Sequence, residues 1–458
     1  MSKKLRKHQR AALRYALRVP YPALFLQMRL GKTLVAIRRC KLLKPMRSEV
    51  GLRVLVVAPS SALGSWEREC KDEGENVVWL TGKRKERREQ LTLLWGGYHL
   101  INKEGWIALP EIASYPWDAV ILDESTFVKN PQAKVTKFFC RNFRRVPMRM
   151  ILTGTPDPES PADYYCQFQF LYGRAFGCSN YWDFREQYMC PSSWGYGWEM
   201  KAGASDTIRR EVGRRSCVMQ RSDVGYDEQR VYERRELELP ASMRKAYNEL
   251  ESTFALDQDD VSISTIWKGG QYSWLRQMCG GFIDGNAVWS GKADIVTDLL
   301  TGELAREQAV IWCDFNNEVS LVCDSLLRKH VLCAPITGRT PEEERRRLVR
   351  EFQDGNIRVL ALQQRIAQTG MDLSAADTAI YYSTPLGGFA RSQTEDRILS
   401  LEKIEAGVPM LFIDLVCKST VDEDAMTLLD DKKLRSKTSM QRALQRALKE
   451  RIQWTQKL

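Results

Sequence analysis

Histidine is scarce, with three in 458 residues. Cysteine is not scarce, yet none of the twelve forms a C-x-x-C pair. Cys166, Cys178 and Cys190 are evenly spaced, but at an interval that metal ligands do not use. These gaps argue against a zinc module, and thiols without a framework predict a reducing compartment. Long apolar runs are missing too, and no stretch reaches the ~18 residues of a membrane span. The opening segment "MSKKLRKHQRAALRYALRVP" is basic and lacks an apolar core, so it does not read as a signal peptide. The expectation is a soluble, cytoplasmic protein with no membrane partner. Internal repeats and low-complexity tracts are also absent. What remains is a globular composition, 43% hydrophobic and 28% charged. The formal net charge of +11 favours polyanionic partners, reached through phosphate contacts.

Short apolar runs recur along the chain. "PALFL", "RVLVVAP", "NVVWL", "DAVILDE" and "MRMILTG" lie in the first half. "QAVIWCDF", "IRVLALQ", "DTAIYYS" and "MLFIDLV" lie in the second. Runs of this length without alternation fit strands buried on both faces. Helical patterns separate them. In "TPEEERRRLVREFQDG", Thr340 is the expected N-cap, Pro341 opens the first turn, Leu348, Val349 and Phe352 form the apolar face, and Gly355 ends the helix. Alternating strands and helices predict parallel sheets covered on both faces, and two series predict two α/β lobes.

The expected division is a first lobe over 1–235, a second over 236–430, and a basic amphipathic helix over 431–458. Residues 158–235 form an insertion region rich in aromatics and glycines, with helical and aromatic pieces. From Asp431 onward nine Lys/Arg face two Asp/Glu. There Thr438 and Gln441 fit a capping box, and Met440, Leu444, Leu448 and Ile452 share one helix face. Such a helix grips DNA or a protein partner, or it packs its stripe on the second lobe; packing is the preferred reading. In the insertion, Trp194, Tyr196 and Trp198 alternate with glycine. They stack on bases, or they fill one face of a hairpin, which is again preferred.

Three stretches carry chemistry. "LQMRLGKT", from Leu26 to Thr33, stands between a strand and a helix. Backbone N–H groups at such a turn hold phosphate oxygens, a lysine reaches the terminal phosphates, and a threonine ligates magnesium. "VILDEST" places Asp123 and Glu124 at the end of a buried strand, where parallel sheets bind ligands. One carboxylate there holds a metal ion through water, and the other orients or deprotonates an attacking water. "LTGTP", from Leu152 to Pro156, ends a third strand.

In this order the motifs resemble those of the Swi/Snf-like branch of superfamily-two helicases. "LRKHQ" is similar to that family's opening motif, "QTGMDLSAADTAIYY" to its motif five, and "RSQTEDRILS" to its motif six; the resemblance covers about Leu5 to Lys433. It implies two RecA-like lobes with ATP held in the cleft between them. It also implies ATP-binding roles for Gln9, Arg29, Gly31, Lys32, Thr33, Gly370, Asp372, Gln393 and Arg397. Gln9 takes the position that recognises adenine. Thr33 and Asp123 take the Mg2+ positions, and Lys32, Asp123, Glu124 and Arg397 the catalytic ones. Ser60, Ser61, Lys129, Asn130, Thr337 and Arg339 are the candidate DNA contacts, all in strand-end loops.

Two residues depart from the family pattern. Arg29 stands where the family has a usual glycine, and Ser400 stands where motif six has its second arginine. Arg391 is one nearby base that could take over for the latter. The resemblance implies a monomeric, ATP-hydrolysing translocase on double-stranded DNA. Two other readings stay open: a strand-separating or annealing helicase, and an ATP-gated DNA clamp with weak hydrolysis. With no chromatin-reading module or nuclease motif in view, a bacterial cell or a virus-infected host cell is the expected setting.

Overall fold

The computed structural model describes residues 4–43, 52–93, 96–154, 156, 160–191, 197–226, 229–253, 255–258, 261–264, 268–369 and 371–430. Two compact units divide the chain, Met1–Asp227 and Glu228–Leu458. Each is built around its own parallel sheet with helices packed on it.

The first sheet has seven strands in the order Val77–Trp79, Gly97–Asn102, Arg53–Ala58, Ala119–Asp123, Met148–Leu152, Ala23–Leu26 and Ser216–Met219. Every pair is parallel. The central strands are buried along their length, which is why their sequences are continuous apolar runs rather than alternating ones. Parallel pairing also brings the carboxyl ends of these strands to one edge of the sheet. Two apolar layers fill its faces. One holds Phe139, Phe143, Phe168 and Phe170, and the other holds Val35, Ile37, Trp66 and Tyr98.

The second sheet runs Arg230–Leu237, Met410–Cys417, Thr378–Tyr381, Ala309–Cys313, Val359–Gln363 and Cys333–Ile336, again all parallel. Arg230–Leu237 pairs with Met410–Cys417 along its whole length, so it belongs to this unit although the sequence sets the boundary near Glu236. The charged character of "RVYERREL" reflects its place at the sheet edge, where alternate side chains meet solvent.

The helix after Cys333–Ile336 spans Glu342–Gln353, with Leu348 and Phe352 buried, and Gly355 takes a left-handed turn behind it (φ 80°). Thr340 does not cap this helix: its Oγ accepts the Thr337 N–H at 2.9 Å instead, and Pro341 holds the N-cap position. Trp198 lies in the expected hairpin, pairing with Pro191, whereas Trp194, Tyr196 and the basic segment from Asp431 fall outside the described residues.

All twelve cysteines are free and most are buried. Cys279, Cys417 and Asp422 approach closely enough to suggest a metal group, but the Lys292 ammonium lies 2.6 Å from Asp422 Oδ2 and neutralises that carboxylate. His99 is fully buried and packs edge-on to Trp117, 5.0 Å between ring centroids. Burial pushes its pKa down to about 4, so it is a neutral core residue. Among the described residues no helix is long and apolar enough to cross a membrane.

Candidate nucleotide site at the edge of the first sheet

The loop between strand Ala23–Leu26 and helix Lys32–Leu43 carries Arg29 and Gly31 in left-handed conformations, φ 69° and 79°. Glycine suits such a position and arginine strains it. Left-handed backbone at 29 explains why a glycine is usual there in the family pattern. It also makes Arg29→Gly a direct test of what the side chain contributes. The variant is expected to be roughly 0.5–1 kcal/mol more stable toward urea. If Arg29 contacts phosphate, the same variant shows a raised KM for ATP; an unchanged KM removes it from the site.

The loop is held from below. Gln9, 6% exposed on helix Lys7–Arg18, accepts the Arg6 N–H at 2.9 Å, and its amide approaches the Leu30 carbonyl. Gly31 is required by its φ, and a Cβ there would also displace the Gln9 amide, whose Nε2 lies 2.2 Å from that position. His8 adds a ring-nitrogen contact to the Leu30 carbonyl at 3.2 Å. On the other side, Arg221, fully buried after strand Ser216–Met219, donates its backbone N–H to Gln27 Oε1 and its guanidinium to the Met28 carbonyl.

Lys32 opens the helix, and its Nζ stands 3.6 Å from Glu124 Oε1. The other Glu124 oxygen accepts the Thr153 hydroxyl at 3.0 Å, which joins "DEST" to "LTGTP". Glu124 is itself left-handed (φ 48°), a conformation that turns the chain sharply after the strand. Asp123, 5% exposed, accepts the Trp66 indole N–H at 2.8 Å and the Glu124 N–H at 3.0 Å. Burial, and then the Glu124 charge, push the Asp123 carboxyl up to about 6. A cation at Asp123 relieves both effects, and each of its oxygens keeps a second lone pair, so the carboxylate suits a hard divalent ion. Ser125 donates to Gln167 Oε1 at 2.6 Å, and Gln167 Nε2 donates to the Pro156 carbonyl at 2.7 Å. Gly154 packs on the loop backbone, 3.3 Å from Met28 N to where a Cβ would stand.

Trp66 and Gln167 therefore belong to the site although neither lies in these motifs, and Thr153 of "LTGTP" is tied to it through Glu124. Trp66 lies within helix Ser60–Asp72, and only its contact with Asp123 across the sheet reveals it.

Ser60 and Ser61 begin helix Ser60–Asp72, and Lys129 and Asn130 follow the short turn Ser125–Val128. All four follow the carboxyl ends of their strands, at the same edge as Lys32 and Asp123. Asn130 Oδ1 accepts the Gln132 N–H at 2.9 Å, so it also shapes its own turn.

In the second unit, Thr337 and Arg339 form the turn after strand Cys333–Ile336, with Arg339 N–H donating to Thr337 Oγ1. Asp372 is exposed; Gly370 lies outside the described residues. Gln393 is half-buried in helix Gly388–Glu395, and Arg397, 5% exposed, closes a turn behind it, where its carbonyl accepts the Leu373 N–H.

Residues 9–265 match the model of the SNF2-related domain, and residues 291–401 match that of the helicase conserved C-terminal domain. The chain belongs to the SNF2-related family. Its enzyme class follows, an ATPase of the helicase type. It is 24% identical over 428 residues to the "SWI/SNF-related matrix-associated actin-dependent regulator of chromatin subfamily A-like protein 1" of Xenopus tropicalis, a match spanning 88% of this chain and 41% of that protein. It is 22% identical over 419 residues to the "ATP-dependent helicase brm" of Drosophila melanogaster, across 81% of this chain and 25% of that one. The chain thus spans less than half the length of these relatives. Among solved structures it is similar to the Sulfolobus solfataricus SWI2/SNF2 ATPase core in complex with dsDNA, at 17% identity and a TM-score of 0.45, over 94% of this chain and 92% of that one.

Against the SNF2-related pattern, the two departures now have structural accounts. Ser400 is the N-cap of helix Leu401–Ala406, its Oγ accepting the Lys403 N–H at 3.1 Å. Arg391 is committed elsewhere. Its guanidinium pairs with both Asp414 oxygens and with Glu395 Oε1, and it lies over the Tyr381 ring at 3.6 Å. A side chain tied to a neighbouring strand in this way is a fold element, not a stand-in for the second motif-six arginine.

Proposed function

We propose that this chain is a DNA-dependent ATPase that couples ATP hydrolysis to movement along double-stranded DNA. The observation that carries the reading is the cluster of Lys32, Asp123, Glu124 and Thr153 on one sheet edge, closed by a Lys32–Glu124 contact of 3.6 Å. With ATP in place, Lys32 leaves Glu124 for the terminal phosphates. Glu124, positioned by Thr153, then orients the attacking water and takes its proton. Thr33 and Asp123 would hold Mg2+, which supplies charge stabilisation to phosphoryl transfer. Trp66 keeps Asp123 in place for that role. Gln9 would read the adenine edge, with Gly31, Arg29, Gly370, Asp372, Gln393 and Arg397 completing the nucleotide contacts. Ser60, Ser61, Lys129, Asn130, Thr337 and Arg339 would hold strand phosphates.

One observation favours a second reading. Ser400 caps a helix and Arg391 is locked to Asp414, so the described residues around motif six offer no evident replacement for an arginine at 400. An ATP-gated DNA clamp with slow turnover fits that arrangement.

Turnover of ATP is measured without nucleic acid and then with duplex DNA, single-stranded DNA, forked DNA and RNA. Duplex DNA is expected to stimulate by roughly tenfold or more, well within the range that completing a charged phosphoryl-transfer site can supply. Lys32→Ala should bring every condition to background. Slow turnover with ATP-dependent DNA binding supports the clamp, and no response to any nucleic acid withdraws the translocase.

A further inference from the structure

The insertion in the first unit carries an exposed aromatic platform that the ATPase reading leaves unused. Trp182 is 70% exposed and Trp198 is 41% exposed, in a unit whose other large aromatics are mostly interior. They come from different elements. Trp182 sits on helix Tyr181–Tyr188, and Trp198 opens strand Trp198–Met200 of the hairpin with Met189–Pro191. Arg185 lies over both indoles, its guanidinium carbon 4.3 Å from the Trp182 centroid and 3.7 Å from the Trp198 centroid. A guanidinium over an indole face is attracted by the ring quadrupole and restrains the ring. It occupies one face of Trp182, and the large exposure of that side chain leaves the opposite face to solvent.

The platform is firmly based. Asn180 caps its helix, accepting the Trp182 and Asp183 N–H groups at 2.8 and 3.1 Å. Phe184, on the inward face, is fully buried against Tyr165 at 4.7 Å between centroids. Tyr165 belongs to helix Tyr164–Tyr172, the element that also carries Gln167 to Ser125. The rings thus stand on a rigid part of the unit rather than on a free loop.

We propose that Trp182, Arg185 and Trp198 form a stacking site for an unpaired base of a single-stranded nucleic acid. A flat π-face restrained by a cation suits a nucleobase of any identity. The helix Ala204–Arg215, which follows the hairpin in the chain, carries exposed Arg209 and Arg210. Close to the rings the charge is different. Asp183 accepts the Ser179 N–H and the Asn180 amide, and Glu186 and Glu199 lie on the two platform elements. The rings therefore recognise the base and not a row of phosphates, and their contribution changes little with salt.

The test uses the full chain without ATP, so it stands apart from the ATPase assay. A short fluorescein-labelled oligothymidylate, an abasic oligomer of the same length and a blunt duplex are titrated by anisotropy. The wild type is expected to bind the oligothymidylate more tightly than the abasic oligomer. Trp182→Ala should weaken oligothymidylate binding by roughly fivefold to a hundredfold, the range for one lost base stack. It should leave the abasic oligomer, the duplex and the thermal unfolding curve unchanged, and Trp182→Phe should restore most of the loss. Equal binding of oligothymidylate and abasic oligomer overturns the proposal. So does a Trp182→Ala variant that binds oligothymidylate like the wild type, which would leave the platform to a protein partner. An equal loss on duplex overturns it too, because the rings would then belong to a duplex contact.

Discussion

Glu124→Gln is expected to lower kcat for ATP by roughly a hundredfold to ten-thousandfold while ATP binding stays within a few-fold of the wild type. The substitution is nearly isosteric. An amide oxygen still accepts the Thr153 hydroxyl that Glu124 Oε2 accepts at 3.0 Å, so the side chain stays in place. What is lost is the charge that faces Lys32 and the ability to take a proton from water. Glu124 also occupies a left-handed backbone conformation (φ 48°), which is costly for a residue other than glycine. Strain of that kind is retained where the surrounding structure fixes a side chain for a task. Turnover under saturating ATP and duplex DNA, paired with equilibrium binding of a fluorescent ATP analogue, separates the two quantities. A kcat within tenfold of the wild type would remove Glu124 from the role of base. Parallel losses of turnover and binding would show that it acts on the ground state instead.

Asp422→Ala should cost about 3–5 kcal/mol of stability, the range for breaking a buried ion pair from one side. Lys292 and Asp422 are 1% and 3% exposed at their side chains, and the Lys292 ammonium also donates to the Tyr382 carbonyl at 2.9 Å. Burial alone works against the Lys292 charge, but the adjacent carboxylate outweighs it and raises the lysine pKa. Removing Asp422 leaves that ammonium in an apolar surround with no counter-charge. It also removes the acceptor of the Cys417 N–H, at 3.3 Å, where strand Met410–Cys417 ends. The double variant Lys292→Met, Asp422→Leu should recover most of the loss, because two apolar side chains of similar volume cost far less than one stranded charge. Urea unfolding of the full chain reads both variants. An Asp422→Ala midpoint close to the wild type would mean that Lys292 finds water or another acceptor on unpairing.

Much of this architecture was legible in the sequence because its central strands are buried on both faces. "RVLVVAP" and "QAVIWCDF" could be read directly since every side chain in such a strand must be apolar. Strands that depart from that condition were hidden. Gly97–Asn102 contains His99, a polar ring that burial keeps neutral and that packs against Tyr115 and Trp117. Arg230–Leu237 is an edge strand that reads as a charged linker, and Cys333–Ile336 contains Pro335, which an edge accepts and a central strand does not.

The site divides in the same way. Lys32, Asp123 and Glu124 announce themselves because phosphate loops and strand-end acids have fixed spacing along the chain. Trp66 and Gln167 do not, because each acts through contacts that only the folded chain brings about, Trp66 with Asp123 and Gln167 with Ser125 and Pro156. Arg391 shows the converse: by position it looks available for catalysis, and only Asp414 on the neighbouring strand shows that it is engaged. Ser400 looks like a defect in a motif until the helix behind it is seen to begin there.

Gln167 imposes a direction. Its oxygen accepts from Ser125, and its nitrogen donates to the Pro156 and Asp163 carbonyls. Two of those three partners can only accept, so the amide fits one way round. Glutamate differs from glutamine by a single base change in the codon, yet it would bring lone pairs against both carbonyls. Leucine or methionine would fill the space and leave three polar groups unmatched. The position is therefore narrow in a mutational sense, with few neighbouring codons that preserve the tie between the two catalytic loops. A library at residue 167 selected for folded protein should return glutamine almost alone.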